Sequence, residues 1–400
     1  MDSLPHGPSS HPPMSPPRKI LCALALAVAA LSALPGAAAA APQLLAHAGL
    51  SQAGRELIFT VRTGSPVVLS QLQPQPDTRR AAARYLCLAL SRPGGSGELR
   101  LCLGGLHSQR RIGQEVVNAA GKPTMKGSVP ATVRRPKPNK LVVALVPGDA
   151  HLAPRRYTWQ TIESRGCEPG GECAEALPAK GAFAFRLRPV RAVGCTGGGA
   201  GLLSNGPRDA KAVALTFDDG PSEYTAGFLQ VLRERGVHGT FFEVGQEMTG
   251  REATMRQILA EGNELGDHTM NHVEYPGYSQ IAGAAQRIEQ YTHFKPCLFR
   301  PPGGAVDSSL VATAGSLGMR TIIWDVDPRD WSTPGTGAIY GNIVANAKPG
   351  SIILMHDGGG PRGETLAALP QIIDTLRWRG FSFETVSELL GNRLIYKPYG

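Results

Sequence analysis

The stretch Ala212-Val213-Ala214-Leu215-Thr216-Phe217-Asp218-Asp219-Gly220-Pro221 decides how this chain is read. An apolar run that reads as a strand from Lys211 to Phe217 ends in two adjacent carboxylates and a Gly-Pro turn signal. Adjacent aspartates at the mouth of such a run repel one another unless something positive sits between them. Downstream, His268-Thr269-Met270-Asn271-His272 places two imidazoles at i and i+4, able to close on one face of a single turn. Neutral imidazole is a common metal ligand. One Asp with two His makes a three-ligand site with an open position for water, and the second Asp is then free to act as a base. The pattern points to a metal-dependent hydrolase.

Outward from this stretch, strands alternate with helices. Strands are expected at Gly239 to Val244, Glu264 to His268, Leu298 to Arg300, Arg320 to Val326, Ser351 to His356 and Phe381 to Thr385. Helices are expected at Thr225 to Arg235, Glu247 to Ala260, Ile281 to Tyr291, Ser308 to Ser316, Ala338 to Asn346 and Leu366 to Arg379. Such alternation calls for a parallel sheet or barrel. The polar motifs fall at strand C-terminal ends, where barrels of this kind place their chemistry.

Five segments in order carry a family resemblance: Thr216 to Ser222, His268 to His272, Arg300 to Gly304, Asp327 to Trp331 and Leu354 to His356. Together they resemble the motifs of the polysaccharide deacetylase family, the NodB-like carbohydrate esterases, over residues 205–390. The resemblance implies a distorted (β/α) barrel of about seven strands. It also implies a divalent metal, most often zinc, with the first aspartate as base and the second as ligand. The expected ligands are therefore Asp219, His268 and His272, a set whose chemistry equally admits cobalt or nickel.

Asp218 is the expected base and Arg300 the fork of donors that holds its carboxylate. His356 follows the apolar run Ile352 to Met355 and is the expected general acid for the leaving nitrogen. Asp327 is the expected partner that orients His356, with Asp325 and Asp330 as competitors. Trp331 and Leu354 would wall the space around a small acyl group, or simply pack the core. The family commonly has an aromatic residue where Gly303 stands; glycine keeps the N–H that stabilises an oxyanion but removes an aromatic wall.

The chain's 400 residues allow two domains. Arg18-Lys19, the apolar Ile20 to Leu34 and small Ala38-Ala39-Ala40 read as a secretory signal over residues 1–40. Residues 41–195 show short β-rich runs at Leu57 to Thr63, Val67 to Leu72, Tyr85 to Leu90, Leu99 to Leu103, Leu141 to Pro147, Tyr157 to Glu163 and Phe183 to Pro189. Turn clusters separate them, so a separate all-β, sandwich-like domain is expected before a catalytic domain at 196–400. Gly197-Gly198-Gly199 is the expected linker.

Seven cysteines become six once Cys22 leaves with the signal, an even number that favours disulfides in an exported chain. Pairing in chain order gives Cys87–Cys102, Cys167–Cys173 and Cys195–Cys297.

The net charge of +9 is uneven: residues 42–195 hold 22 Lys/Arg against 9 Asp/Glu, a balance of +13, whereas residues 196–400 balance at −5. A basic exported module suits an anionic cell-envelope polymer, and equally a surface kept charged for solubility. Nucleic acid is not expected, for want of any binding module. The chain contains no Gly-x-Ser-x-Gly elbow, which disfavours a serine esterase, and a glycosidase needs two separated carboxylates without metal ligands.

The expectation is a secreted or envelope-associated, metal-dependent N-deacetylase of an amino-sugar polymer. Peptidoglycan comes first, then chitin-like oligosaccharides, then acetylated xylan. The competitor from another class is a non-catalytic wall-binding protein on the same fold. Asp218, Arg300 and His356 together argue against it, because binding alone needs neither base nor acid.

Overall fold

The computed structural model describes residues 44–72, 84–103, 111–118, 123–167 and 171–399. The expected signal at 1–40 and the side chains of Cys167 and Cys173 lie outside the described residues. Among the described residues, no helix is long and apolar enough to cross a membrane. Residues 43–400 form one compact unit.

The first part of that unit is all β. Its strands are β1 (Leu45–Ala53), β2 (Glu56–Thr63), β3 (Arg84–Ser91), β4 (Glu98–Leu103), β5 (Arg111–Val117), β6 (Pro123–Pro130), β7 (Thr132–Lys137), β8 (Lys140–Leu145), β9 (Arg156–Cys167), β10 (Gly171–Leu177) and β11 (Phe183–Arg186). One antiparallel sheet has the order β1-β2-β8-β7 and a second the order β10-β9-β3-β4-β5-β6, with β11 also on β9. Alternation in β2 and β8 turns Leu57, Phe59, Val61, Leu141, Val143 and Leu145 inward, where they share a core with Leu86, Leu88 and Leu101 of the second sheet. That is the period-2 pattern of a sheet with one solvated face.

Val67 to Leu72, expected as a strand, is instead a crossing between sheets. Val67 N–H donates to Pro138 O beside the first sheet, Leu72 bridges Arg84 of the second, and a short 3-10 turn at Leu69–Gln71 lies between. Strands β6 and β7, which the sequence does not announce, are edge strands carrying Pro, Lys and Arg, the residues that blunt exposed edges.

The second part begins with β12 (Val190–Cys195) and β13 (Leu202–Leu203). Then follow β14 (Ala212–Asp218), α1 (Thr225–Arg235), β15 (Thr240–Glu243), α2 (Glu252–Ala260), β16 (Glu264–Asp267), α3 (Tyr278–Thr292), β17 (Leu298–Phe299) and α4 (Ser308–Ser316). The remainder is β18 (Arg320–Ile322), α5 (Thr336–Asn346), β19 (Ser351–His356), α6 (Gly363–Trp378), β20 (Ser382–Phe383), α7 (Val386–Leu389) and β21 (Leu394–Pro398). The main sheet runs β13-β18-β17-β16-β15-β14-β19, all parallel, with β20 beside β14. This is a half-barrel of seven strands with helices. Phe217, Phe241, Ile353 and Met355 from the strands pack against Phe228, Leu232, Leu369 and Ile372 from α1 and α6.

Helix ends follow local chemistry: α1 stops at Gly236 in the left-handed region, and Asp307 caps α4 by accepting from Leu310 N–H. The helix expected at Glu247 to Ala260 starts late, at Glu252, after a 3-10 turn at Gly245–Met248. The strand expected to Val326 stops at Ile322.

The glycine run 197–199 is not a free linker. A Cβ on Gly198 would stand 2.1 Å from Gly318 O, so the run is packed against the barrel. Strand β12 pairs antiparallel with the C-terminal β21, and Cys195–Cys297 ties it to the start of β17. The second described disulfide, Cys87–Cys102, joins directly opposed residues of β3 and β4.

Candidate active site

Asp218, Asp219, His268, Arg300 and His356 emerge where parallel strands end. Asp218 closes β14 and is followed by Asp219 in the left-handed region at φ 71°. Close packing holds that residue: a Cβ on Gly359 would stand 2.3 Å from Asp219 Oδ2, and one on Gly358 would stand 2.1 Å from Asp219 O. The glycines after His356-Asp357 thus exist to let this loop cradle Asp219. Arg362 fixes them, donating from Nε to Gly358 O and from Nη2 to Gly359 O.

His268 follows β16, and His272 lies on a loop with left-handed residues at Thr269 and His272. The two rings therefore converge through a looped backbone and not a helical turn. His268 Nε2 lies 3.4 Å and His272 Nε2 3.0 Å from Asp219 Oδ1. His268 Nδ1 is 2.7 Å from Arg300 O, which can only accept, so Nδ1 carries the proton and Nε2 presents a lone pair. That lone pair faces a buried Asp219 oxygen that has no hydrogen-bond partner. A cation between them would resolve this opposition of lone pairs, and the donor set of one carboxylate and two imidazoles fits a divalent metal. Asp219, His268 and His272 form a potential metal-binding triad. Burial alone would raise the Asp219 pKa, but the adjoining His268 and His272 hold it far below the usual carboxylate range. Asp219 in turn raises His272.

Asp218 is buried beside the triad, its Oδ2 3.9 Å from His268 Nε2. Arg300, fully buried at the end of β17, donates from Nη1 to Asp218 Oδ1 at 2.7 Å and to Thr216 Oγ1 at 2.8 Å. Its guanidinium lies 4.0 Å above the Phe242 ring, which adds a cation–π contact in a dry setting. Burial lowers the Arg300 pKa, opposed by the Asp218 charge.

His356 ends β19. Its partner is Asp330 and not Asp327: His356 Nδ1 lies 2.8 Å from Asp330 Oδ1, and the His356 N–H donates to Asp330 Oδ2 at 2.9 Å. Asp327 instead accepts from Arg329 N–H at 2.7 Å, closing its own exposed turn. Asp325 accepts from Ile352 N–H and Arg208, pinning the segment after β18 to β19. Asp330 is 1% exposed and also accepts from Thr365 Oγ1. Burial opposes the charged imidazolium, but the hydrogen bond and charge of Asp330 outweigh it, so the His356 pKa lies above its ordinary 6.5.

Of the wall candidates, Trp331 is half exposed next to Asp330, under the Arg329 guanidinium, whereas Leu354 is buried. Gly303 adopts φ 63°, which glycine reaches without steric cost, and a Cβ there would stand 3.1 Å from Glu274 Oε1. An aromatic side chain at this position would meet both obstacles.

Two groups escaped the sequence reading. Glu243, at the end of β15, and Asp357 are fully buried beneath the Asp219-Gly220 turn. Burial raises both, Glu243 well above the ordinary range and Asp357 to about 7. Asp357 directly follows His356 and accepts from Thr225 Oγ1, a position whose only signal in sequence is its place before three glycines.

A family model described as polysaccharide deacetylase matches residues 205–322. A peptidoglycan-N-acetylglucosamine deacetylase of Bacillus cereus is 41% identical over 193 residues, covering 46% of this chain and 90% of that protein. A chitooligosaccharide deacetylase of Sinorhizobium fredii is 34% identical over 197 residues, covering 45% of this chain and 92% of that protein. A crystal structure of a peptidoglycan N-acetylglucosamine deacetylase overlays with a TM-score of 0.46 at 30% identity, covering 48% of this chain and 92% of that one.

Proposed function

Because the chain belongs to the polysaccharide deacetylase family, we propose that it hydrolyses N-acetyl groups on an amino-sugar polymer, with peptidoglycan as the first candidate and chitin-like oligosaccharides as the second. The observation that carries this reading is the convergence, on one rim, of the Asp219-His268-His272 triad, the Arg300-held Asp218 and the Asp330-held His356.

A divalent cation on Asp219, His268 and His272, zinc before cobalt or nickel, would polarise the acetyl carbonyl and make a water acidic enough to ionise near neutral pH. Asp218 takes the proton from the attacking water, and Arg300 keeps that carboxylate aimed. With Oδ1 engaged by Arg300, Oδ2 is the accepting atom. As the carbon–nitrogen bond breaks, His356 delivers a proton from Nε2 to the departing amine, since Nδ1 is engaged by Asp330. Acetate and a free amino sugar are the products. The Gly303 N–H supports the developing oxyanion, and Trp331 and Leu354 bound the acyl site.

The cysteine pairs Cys87–Cys102 and Cys195–Cys297 support an exported location, where disulfides persist. The basic β-rich module supports a second role, retention on an anionic envelope polymer. Incubating the purified chain with peptidoglycan, chitin oligomers and acetylated xylan while measuring acetate tests the substrate class. No release from either amino-sugar polymer would end this reading.

A further inference from the structure

The pairing register of the first sheet sets cations side by side. His47 of β1 lies opposite Arg62 of β2, Arg62 opposite Lys140 of β8, and Lys140 opposite Lys137 of β7. Their inward neighbours Ala48, Val61 and Leu141 are buried, so the row stands on the solvated face. Arg134 lies opposite Val142, two residues further along β8, and adds a fourth fixed positive charge on the same face.

Like charges placed directly opposite across strands destabilise a sheet. A carboxylate between them would relieve this, yet the only acidic residue in these four strands is Glu56, at the other end of β2. Among the described residues, no salt bridge is formed by Arg62, Arg134, Lys137 or Lys140. Arg135 differs, since its guanidinium is used within the fold, donating to Val67 O at 2.7 Å.

The row is also placed to reach outward. Arg55, just before β2, contacts the half-barrel at His238, with 3.4 Å between Arg55 Nη1 and His238 Nε2. Arg62 lies seven residues further along the same strand, roughly 23 Å away at about 3.3 Å per residue. Arg62, with Lys140 and Lys137 beside it, therefore sits at the end of the sheet away from the Arg55 contact.

We propose that this cross-strand row of Arg62, Lys137 and Lys140, with Arg134 beside it, is the docking surface for a linear, phosphate-bearing polyanion. The proposal deepens the anchoring role suggested above by assigning it to one face. Two strand spacings of about 4.8 Å, from β2 through β8 to β7, make a strip roughly 10 Å long that Arg134 extends along β7, enough for a polymer to engage several charges at once. A lipid surface fits less well, because the row's neighbours on this face are Gly49, Thr60 and Val142, with no exposed aromatic side chain to enter a membrane interface.

Inorganic polyphosphate is the probe, with binding to the full chain measured across a salt series. Binding should weaken as salt rises, and the R62Q/K137Q/K140Q variant should lose at least about tenfold at low salt and show a shallower salt slope. A control variant, R92Q/K126Q/K180Q, removes the same charge from exposed positions elsewhere on the module and should bind almost as the parent does. Equal loss in both variants would mean that net charge alone acts and would overturn the row. So would binding to phosphatidylglycerol vesicles without binding to polyphosphate. Acetate release from a soluble chitin oligomer is read in parallel. Unchanged release in the row variant shows a folded enzyme, and a parent without release breaks the deacetylase reading while leaving the polyphosphate result to stand.

Discussion

Two buried arginine–carboxylate pairs, one in each part of the molecule, show what separates structure from chemistry here. In the sandwich, Arg84 Nε lies 2.9 Å from Glu163 Oε1 across β3 and β9, and Arg84 Nη1 donates to Pro66 O. In the half-barrel, Arg300 Nη1 donates to Asp218 Oδ1 and to Thr216 Oγ1. The first pair ties two neighbouring strands of one sheet together. Around the second, Asp219, Asp330, Glu243 and Asp357 crowd the same rim, while the donors of the neighbouring Arg362 are committed to backbone carbonyls. A buried pair signals function when carboxylates outnumber the cations available to them, because the surplus calls for a metal or for protons.

The largest effect expected from this comparison comes from removing a ligand. His268→Ala should abolish both metal retention and acetate release while leaving the sandwich folded, as metal analysis, activity and near-ultraviolet circular dichroism would show. Asp218→Asn should keep its metal and lose about 10²–10⁴-fold in turnover, since it removes a proton acceptor but no ligand.

Replacing either arginine sharpens the contrast. Arg84→Met and Arg300→Met should each cost about 3–5 kcal/mol in denaturant unfolding, by stranding a buried charge. Only Arg300→Met should lower activity per folded molecule. Equal activity losses would remove the distinction between the two pairs.

The smallest expected effect is a shift in pH profile. His356 must be protonated to act as an acid, and Asp330 raises its pKa. Activity should therefore fall as pH rises through that raised value, and Asp330→Asn should move this alkaline limb to lower pH. An unmoved limb would remove Asp330 from its positioning role.

The half-barrel was largely legible in the sequence because β14 and β19 are apolar runs that lead directly into Asp218, Asp219 and His356. Arg300 follows the short apolar β17, whereas His268 follows the mixed segment Glu264–Asp267 and was legible from the paired histidines instead. The partner of His356 was not, because Asp325, Asp327 and Asp330 lie close together in one loop and only the fold selects among them. Asp325 faces Ile352 N–H, Asp327 closes its own turn, and Asp330 alone reaches the imidazole. In the sandwich, β1, β5, β6, β7 and β10 had no counterpart in the sequence reading. Of these, β6 and β7 are edge strands carrying the Pro, Lys and Arg that sequence patterns read as loop. The cationic row joins residues of β2, β8 and β7 and is visible only once the register is known.

The most direct test of the central claim is acetate release from an N-acetylglucosamine oligomer by the metal-stripped chain as Zn²⁺ is added back, run beside Asp218→Asn at equal metal content. The account predicts no release without metal, recovery that saturates near one Zn²⁺ per chain, and little release from Asp218→Asn at the same occupancy. Full release from the verified metal-free chain, or an Asp218→Asn protein that is active once loaded, would contradict it.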